Sequence, residues 1–204
     1  MLVLAPAAAA DEPLDREQAL DSLQHASAER RLAGVVRLAD VGTMEDANRL
    51  VARMSDDDST VRQIAVAAMW RIWERSGDAA IDALYQQGAR QMQEGNLAEA
   101  VEIFSAIIGK KAEFAEAWNK RATAYYLMDQ YELSMKDCDE VLKRNPNHFG
   151  AMSGYAQMLA ELDQPERALA YLERAIKINP NMAAAQAWIP TLKQRIELKR
   201  RKST

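Results

Sequence analysis

Few side chains in this sequence could do chemistry, and none of them lies in a catalytic or metal-binding motif. The two histidines, His25 and His148, are 123 residues apart, and Cys138 is the single cysteine. No CxxC, HExxH or glycine-rich phosphate-binding loop occurs. Each histidine is therefore expected to be a surface or helix-end residue, and Cys138 an inert thiol. The sequence predicts no catalytic residue, no cofactor, no metal site and no small-molecule substrate.

The acidic run at residues 56–58 is the one place that suggests a metal ligand set. No glycine and no closing glutamate follow it at the spacing of an EF-hand loop. Carboxylates that come directly before a helix accept hydrogen bonds from its free N–H groups and face the positive end of its dipole. We therefore expect this run to cap a helix.

The elements that position these residues are predicted to be helices throughout. The 204 residues include only 8 glycines and 6 prolines, while alanine, leucine, glutamate and arginine abound. No run of alternating β-branched residues indicates a strand. The net charge of −4 argues against nucleic-acid binding, which needs a basic face. Only residues 183–204 are basic, so a weak contact of this tail with an anionic membrane surface stays open.

The first ten residues are apolar and rich in alanine, and the chain turns polar at Asp11. A small-residue stretch before a polar sequence is typical of a secretory cleavage site, although no basic segment precedes this one. We interpret residues 1–10 as the remnant of a signal peptide with its start upstream, and expect a periplasmic or secreted protein. The alternative is a disordered arm of a cytoplasmic protein.

The middle of the chain repeats itself every 34 residues. Five series of residues are each spaced by 34 in both steps: Leu84, Trp118 and Met152; Gly88, Ala122 and Ala156; Ala100, Ser134 and Ala168; Phe104, Cys138 and Leu172; Ile107, Val141 and Ala175. Asn-Pro-Asn turns follow at residues 145–147 and 179–181. The repeats are predicted at residues 81–114, 115–148 and 149–182, within a unit spanning 79–182.

This pattern resembles the tetratricopeptide repeat family, whose 34-residue unit is a pair of antiparallel helices with small residues where the helices touch. The second repeat is the closest match, from Trp118 and Ala122 to the turn at 145–147. The resemblance implies an all-α, right-handed solenoid in which Trp118, Tyr125, Cys138 and Val141 belong to the core.

In this family the first helix of each repeat lines a concave groove that holds a peptide or a helix of a partner. By the repeat register, the groove residues are expected to be Tyr85, Ala89, Met92, Asn119, Thr123, Tyr126, Ser153 and Gln157. In co-chaperones of this family, a clamp of lysine, asparagine and arginine captures a C-terminal carboxylate. The matching positions here are Tyr85, Ala89, Lys120, Ser153 and Gln157. Only Lys120 is basic, which argues against such capture.

Residues 27–76, within a front segment at 11–78, resemble a HEAT-type repeat. The similarity rests on an offset of 32 between residues 27–36 and 59–68 and on the acidic turn at 56–58. Thr43 and Asp46 resemble a capping box that opens a helix to about Met54. Trp70 and Trp73 are expected to pack against the first helix of the repeats, which would continue the solenoid.

The last segment, residues 183–204, is predicted to be a capping helix with a basic tail. Trp188, Leu192 and Ile196 recur at helical spacing and are expected to cover the last repeat, with a break at Pro190 and fraying over 199–202.

Together these features predict a non-catalytic scaffold or adaptor of the bacterial envelope that binds a protein or peptide partner. A dedicated cytosolic chaperone, similar to those of type III secretion, is the alternative. An enzyme similar to HEAT-repeat lyases has only the fold in its favour.

Overall fold

The computed structural model describes residues 13–202, so the predicted export segment at 1–10 lies outside it. Within the described range there are α-helices, one 3-10 helix and no strand, which confirms the predicted all-α class. The front helices are α1 (Arg16–Ser22), α2 (Ala28–Val41), α3 (Ala47–Arg53), which follows a 3-10 helix at Met44–Asp46, and α4 (Ser59–Trp73). None of the helices in residues 13–202 is both long enough and apolar enough to span a membrane.

Six helices follow in antiparallel pairs, and α11 (Ala183–Lys202) packs on the last of them. The pairs are α5 (Ala79–Gln93) with α6 (Leu97–Lys110), α7 (Ala115–Leu127) with α8 (Tyr131–Arg144), and α9 (Phe149–Glu161) with α10 (Pro165–Ile178). The second helix of each pair begins and ends 34 residues after its predecessor.

The small residues of the repeat allow the paired helices to approach closely. A Cβ on Gly88 would lie 2.8 Å from the Phe104 ring, so any larger residue there would have to displace the ring. Ser134 donates a buried hydrogen bond of 2.7 Å to the carbonyl of Ala122, which joins α7 to α8. Cys138 is buried, and burial raises the pKa of its thiol to about 12, as expected for an inert core residue.

The turn inside each pair takes a left-handed backbone at one residue. Gly95, Asp129 and Asp163 have φ angles of 82°, 58° and 53°, and they are again 34 residues apart. A single left-handed residue reverses the chain in this short connection. Glycine adopts this conformation without steric cost, and aspartate tolerates it better than most residues.

The front segment does not continue the solenoid onto α5, and this prediction was wrong. The aromatic ring contacts of Trp70 and Trp73 are with each other and with His148 and Phe149 at the start of α9. Phe149, Met152 and Ala175 share one apolar core with the front helices. The first pair, α5 and α6, has a core of its own.

Hydrogen bonds explain why the front segment lies there. The Asn147 side chain donates to Asn48 Oδ1 at 3.1 Å, and the Asn181 side chain donates to the carbonyl of Met54 at 2.7 Å. Both donors belong to the Asn-Pro-Asn turns. The front segment therefore rests across the turns that end the second and third pairs.

The predicted helix caps of the front segment are present. Thr43 and Asp46 form a capping box, and Asp58 accepts hydrogen bonds from the first turn of α4. Asp56 has a further contact, because its buried carboxylate binds Arg31 and Arg53. The Arg31 hydrogen bond outweighs burial and lowers the pKa of Asp56.

Three predicted details need correction. Trp118 is only half-buried: it packs against the edge of a core cluster, and the guanidinium groups of Arg121 and Arg144 lie over its ring. Helix α11 runs through Pro190 without a break, since Leu192 and Ile196 are buried and hold the following turns in place. The helix also continues to Lys202.

Candidate functional site

The first helices of the second and third pairs, together with α11, line two adjoining clefts. The cleft between α7 and α9 has a volume of about 270 Å³, and the cleft between α9 and α11 about 760 Å³. Gln157 lines both, so the two clefts form one continuous surface, which we call the groove. Predicted site residues in the groove are Asn119, Thr123, Tyr126, Ser153 and Gln157.

Tyr126 is the centre of a hydrogen-bond network in the groove. Its hydroxyl accepts from the Gln157 side chain at 2.5 Å and donates to Glu161 at 2.9 Å. Partial burial and the Glu161 carboxylate raise the pKa of Tyr126, so the phenol stays protonated. Its ring stacks on Tyr131 with the centroids 5.6 Å apart. These contacts hold the Tyr126 ring in a defined orientation at the cleft wall.

The amide groups of the groove are only partly engaged. Asn119 uses its NH₂ group on Glu116, at 2.9 Å, and Gln157 uses its own on Tyr126. Neither amide oxygen accepts a hydrogen bond from the described residues. The groove therefore offers two carbonyl acceptors beside an exposed apolar residue, Leu127, which is 53 % exposed.

Tyr85 was predicted to line the groove, and the structure contradicts this. Its side chain is 1 % exposed, with ring contacts to Phe104 and Phe114, and its hydroxyl donates to Glu74 at the end of α4. Burial raises the pKa of this phenol. Tyr85 is covered because the two phenylalanines pack on its ring and Glu74 of the front segment binds its hydroxyl. Ala89 and Met92 are half-buried and lie outside both clefts.

A buried, hydrogen-bonded pair lies next to the groove residue Asn119, and the sequence analysis missed it. Glu116 and His148 are both completely buried, with Glu116 Oε2 2.8 Å from His148 Nε2. The backbone N–H of Ala151 donates to His148 Nδ1, so the proton of a neutral imidazole lies on Nε2 and points to Glu116. His148 is thus a helix-end residue, as expected, but not a surface one. The only hint was its position just after an Asn-Pro-Asn turn.

Comparison with known proteins agrees with this architecture. A family model described as a tetratricopeptide repeat matches residues 115–148, and a second model of the same description matches residues 151–182. A TPR repeat-containing protein of Rhizobium etli is 34 % identical over 124 residues, which are 61 % of this chain and 61 % of that protein. The match thus spans less than two thirds of the relative.

Solved structures show the same fold at low sequence identity. The first TPR domain of Spaghetti (RPAP3), bound to an HSP90 peptide, has a TM-score of 0.56 at 20 % identity and covers 57 % of this chain and 93 % of that one. The Yersinia enterocolitica secretion chaperone SycD, in complex with a peptide of the translocator YopD, has a TM-score of 0.52 at 16 % identity. It covers 62 % of this chain and 97 % of that one. Residues 115–148 and 151–182 are therefore tetratricopeptide repeats.

Proposed function

We propose that this protein is a non-catalytic scaffold or adaptor that holds a segment of a partner protein in the groove. The observation that carries the proposal is the continuity of the two clefts through Gln157. A continuous cleft along successive first helices suits an extended peptide or a short helix better than a compact metabolite. The solved relatives were captured with peptides of their partners, which supports the same use of this fold here.

The groove provides the contacts that such a segment needs. Tyr126 gives a large contact area on a ring whose rotamer is already fixed, so little side-chain entropy is lost on binding. The amide oxygens of Asn119 and Gln157 can accept backbone N–H groups of the segment. Trp188 and Leu172 extend the apolar wall in the second cleft. We infer an uncharged segment, because the acidic Glu161 and the basic Arg195 balance each other along the second cleft.

Truncation of Tyr126 tests the groove directly. Peptides selected from a random display library on the immobilised protein provide a ligand, and calorimetry measures their affinity for the variants. Tyr126→Ala is expected to lose about 2 kcal/mol of binding free energy, as interface anchors do. Tyr126→Phe should lose less, since it keeps the ring and removes only the bridge between Gln157 and Glu161.

Two controls make the result specific. Lys136 is exposed on α8, the second helix of its pair, and Lys136→Ala should bind like wild type. Met92→Ala, in the first pair and outside both clefts, should also leave affinity unchanged. Selected peptides that bind Tyr126→Ala as tightly as wild type but lose affinity for Lys136→Ala would place the site on the opposite face.

We further propose a location in the bacterial envelope, on the strength of the alanine-rich segment before Asp11. N-terminal sequencing of the native protein is expected to give a mature chain that starts at Asp11. An intact Met1 on cytosolic protein would instead favour the alternative function, a dedicated chaperone of secreted proteins. The complex of SycD with a translocator peptide supports that alternative at the level of the fold.

A further inference from the structure

A third cleft lies where the front segment meets the repeats, away from the groove. Its volume is about 310 Å³, at the low end of the range for small-ligand pockets. The front segment contributes Trp73, Arg75 and Met44, while the repeats contribute Phe114 and Asn145 among others. Met44 is exposed, so the cleft communicates with solvent. We call this the junction cleft.

Two buried hydrogen-bond donors in the junction cleft have no acceptor. The indole Nε1–H of Trp73 and the side-chain NH₂ of Asn145 make no hydrogen bond to the described residues, although both side chains are buried. A buried donor left without an acceptor costs about 1–3 kcal/mol. No other buried side-chain nitrogen or oxygen within residues 13–202 lacks a partner, and both of these belong to one cleft. The junction cleft therefore requires an acceptor.

The charges around the cleft favour an anionic acceptor. Arg75, Lys111 and Arg144 line it, and of these only Arg144 forms an ion pair, with Glu140. Arg75 donates to three backbone carbonyls instead of to a carboxylate. Lys111 makes no side-chain ion pair with any described residue. A compact group with one negative charge would balance these side chains.

The carboxylates in the cleft wall do not take this role. Glu116 lines the cleft, but Asn119 and Lys120 contact its Oε1, and His148 binds its Oε2. Its charge is therefore compensated within the protein. Glu113 is exposed at the mouth of the cleft and is solvated. Neither carboxylate reaches the two free donors.

We propose that the junction cleft binds a carboxylate attached to a short apolar body. A carboxylate has two acceptor oxygens, so one group can accept from both Trp73 Nε1 and Asn145 Nδ2. Phe114 and Met44 provide apolar surface for the attached group. The carboxylate can come from a free short-chain acid or from the C-terminus of a polypeptide. Because Trp73 belongs to the front segment and Asn145 to the repeats, a bound carboxylate would also strengthen the junction.

Titration with butyrate tests the proposal on the full chain. The Trp73 indole N–H resonance, assigned as the one of four that Trp73→Phe removes, should shift in a saturable way on adding butyrate. Butyramide, of the same shape without the charge, should have no such effect. Trp73→Phe keeps an aromatic ring beside His148 and removes the N–H donor together with the five-membered ring that carries it. Followed on the Asn145 side-chain NH₂ resonances, which the variant retains, its butyrate affinity should be about tenfold lower, as loss of a hydrogen bond to a charged group predicts.

A second variant guards against misfolding of the first. Asn145→Asp keeps the oxygen that accepts from the Asn147 backbone but replaces the free donor with a negative charge, so it should abolish binding. Trp188→Phe, in the groove, should bind butyrate like wild type. A dipeptide with a free carboxylate that binds more tightly than butyrate identifies a polypeptide C-terminus as the source, and the reverse order identifies a free acid. The proposal is overturned if the indole resonance does not shift in tens of millimolar butyrate, or if it shifts equally in butyramide. A cleft that holds only water would give one of these results.

Discussion

Glu116 is a buried carboxylate at the start of α7. Its hydrogen bond with His148, at the start of α9, connects the second and third helix pairs at the place where the front segment packs. Burial opposes the charge, but the hydrogen bond with His148, the charge of Lys120 and the Asn119 amide outweigh it, so the pKa of Glu116 falls below its ordinary value of 4.5. The His148 ring stacks on Trp73 with centroids 4.2 Å apart. The pair thus fixes the surface on which the front segment rests.

The lowered pKa of Glu116 predicts a loss of stability in acid. A group with a lowered folded-state pKa stabilises the fold above its unfolded-state pKa, and that stabilisation is lost as the pH falls through the folded-state pKa. The free energy of unfolding should therefore fall more steeply below pH 4.5 in wild type than in Glu116→Gln. At neutral pH the variant should be less stable by about 1–3 kcal/mol, since it replaces hydrogen bonds to a buried charge with weaker ones to a neutral amide.

The free energy of unfolding can be measured by chemical denaturation at a series of pH values around 4.5, with Glu140→Gln as the matched control. Glu140 also has a lowered pKa, caused by its hydrogen bond with Arg144, but it lies near the surface. Its variant should follow the wild-type pH profile closely, because exposed pairs contribute little. Parallel profiles for wild type and Glu116→Gln would show that the Glu116 charge does not stabilise the fold.

At the scale of single residues, the sequence predicted small residues and caps well but buried polar residues poorly. Ser134 and Ala122 follow from the period, and the capping box at Thr43 follows from local spacing. The burial of Tyr85 and His148 does not, because each has a contact with the front segment, which lies outside the repeat: the Tyr85 hydroxyl with Glu74, and the His148 ring with Trp73. Spacing along a helix indicates its faces, but not which segment covers each face.

At the scale of the elements, the turn between the two helices of a repeat depends on one backbone conformation. Gly95 has a φ of 82° and open space around its Cβ position, so conformation alone keeps it a glycine. Gly109 lies near the end of α6, also with open space, but in helical backbone. Alanine substitutions at these two residues therefore distinguish the free-energy cost of a left-handed backbone from the entropy cost of glycine in a helix.

The two glycines should respond to alanine in opposite directions. Gly95→Ala should lower the free energy of unfolding by about 1 kcal/mol, because alanine disfavours the left-handed region. Gly109→Ala should raise it by about 0.5–1 kcal/mol, because alanine is the better helix former. Thermal or denaturant unfolding of the two variants and of wild type measures these changes in the free energy of unfolding. Equal shifts would mean that the left-handed turn is not formed in solution.

At the scale of the whole molecule, the front segment is held across the ends of the repeats by contacts that are far apart in sequence. Trp70 packs on Phe149, and Asn181 reaches the carbonyl of Met54, 127 residues away. Such pairings have no signature in local periodicity, which is why the sequence suggested a continuous stack. The arrangement leaves the groove of α7, α9 and α11 open, while the front segment packs on the first turn of α9 and on α10.

Two glycines on α9 test this arrangement. A Cβ on Gly150 would lie 2.4 Å from Cη2 of Trp70, so Gly150→Ala must displace the ring and should cost about 1–3 kcal/mol of stability. Gly154, one turn further, has no atom within 4 Å of its Cβ position. Gly154→Ala should therefore be neutral or stabilising, by up to about 1 kcal/mol.

Hydrogen exchange shows where the damage occurs. In Gly150→Ala the amides of α2 to α4 should exchange faster, because displacing the Trp70 ring disturbs the contact of the front segment with α9, while α5 and α6 keep their protection within a separate core. In Gly154→Ala the protection of both regions should match wild type. If Gly150→Ala instead loosened α5 and α6 first, the front segment would be packed on the first repeat after all. The docking across the Asn-Pro-Asn turns would then be wrong.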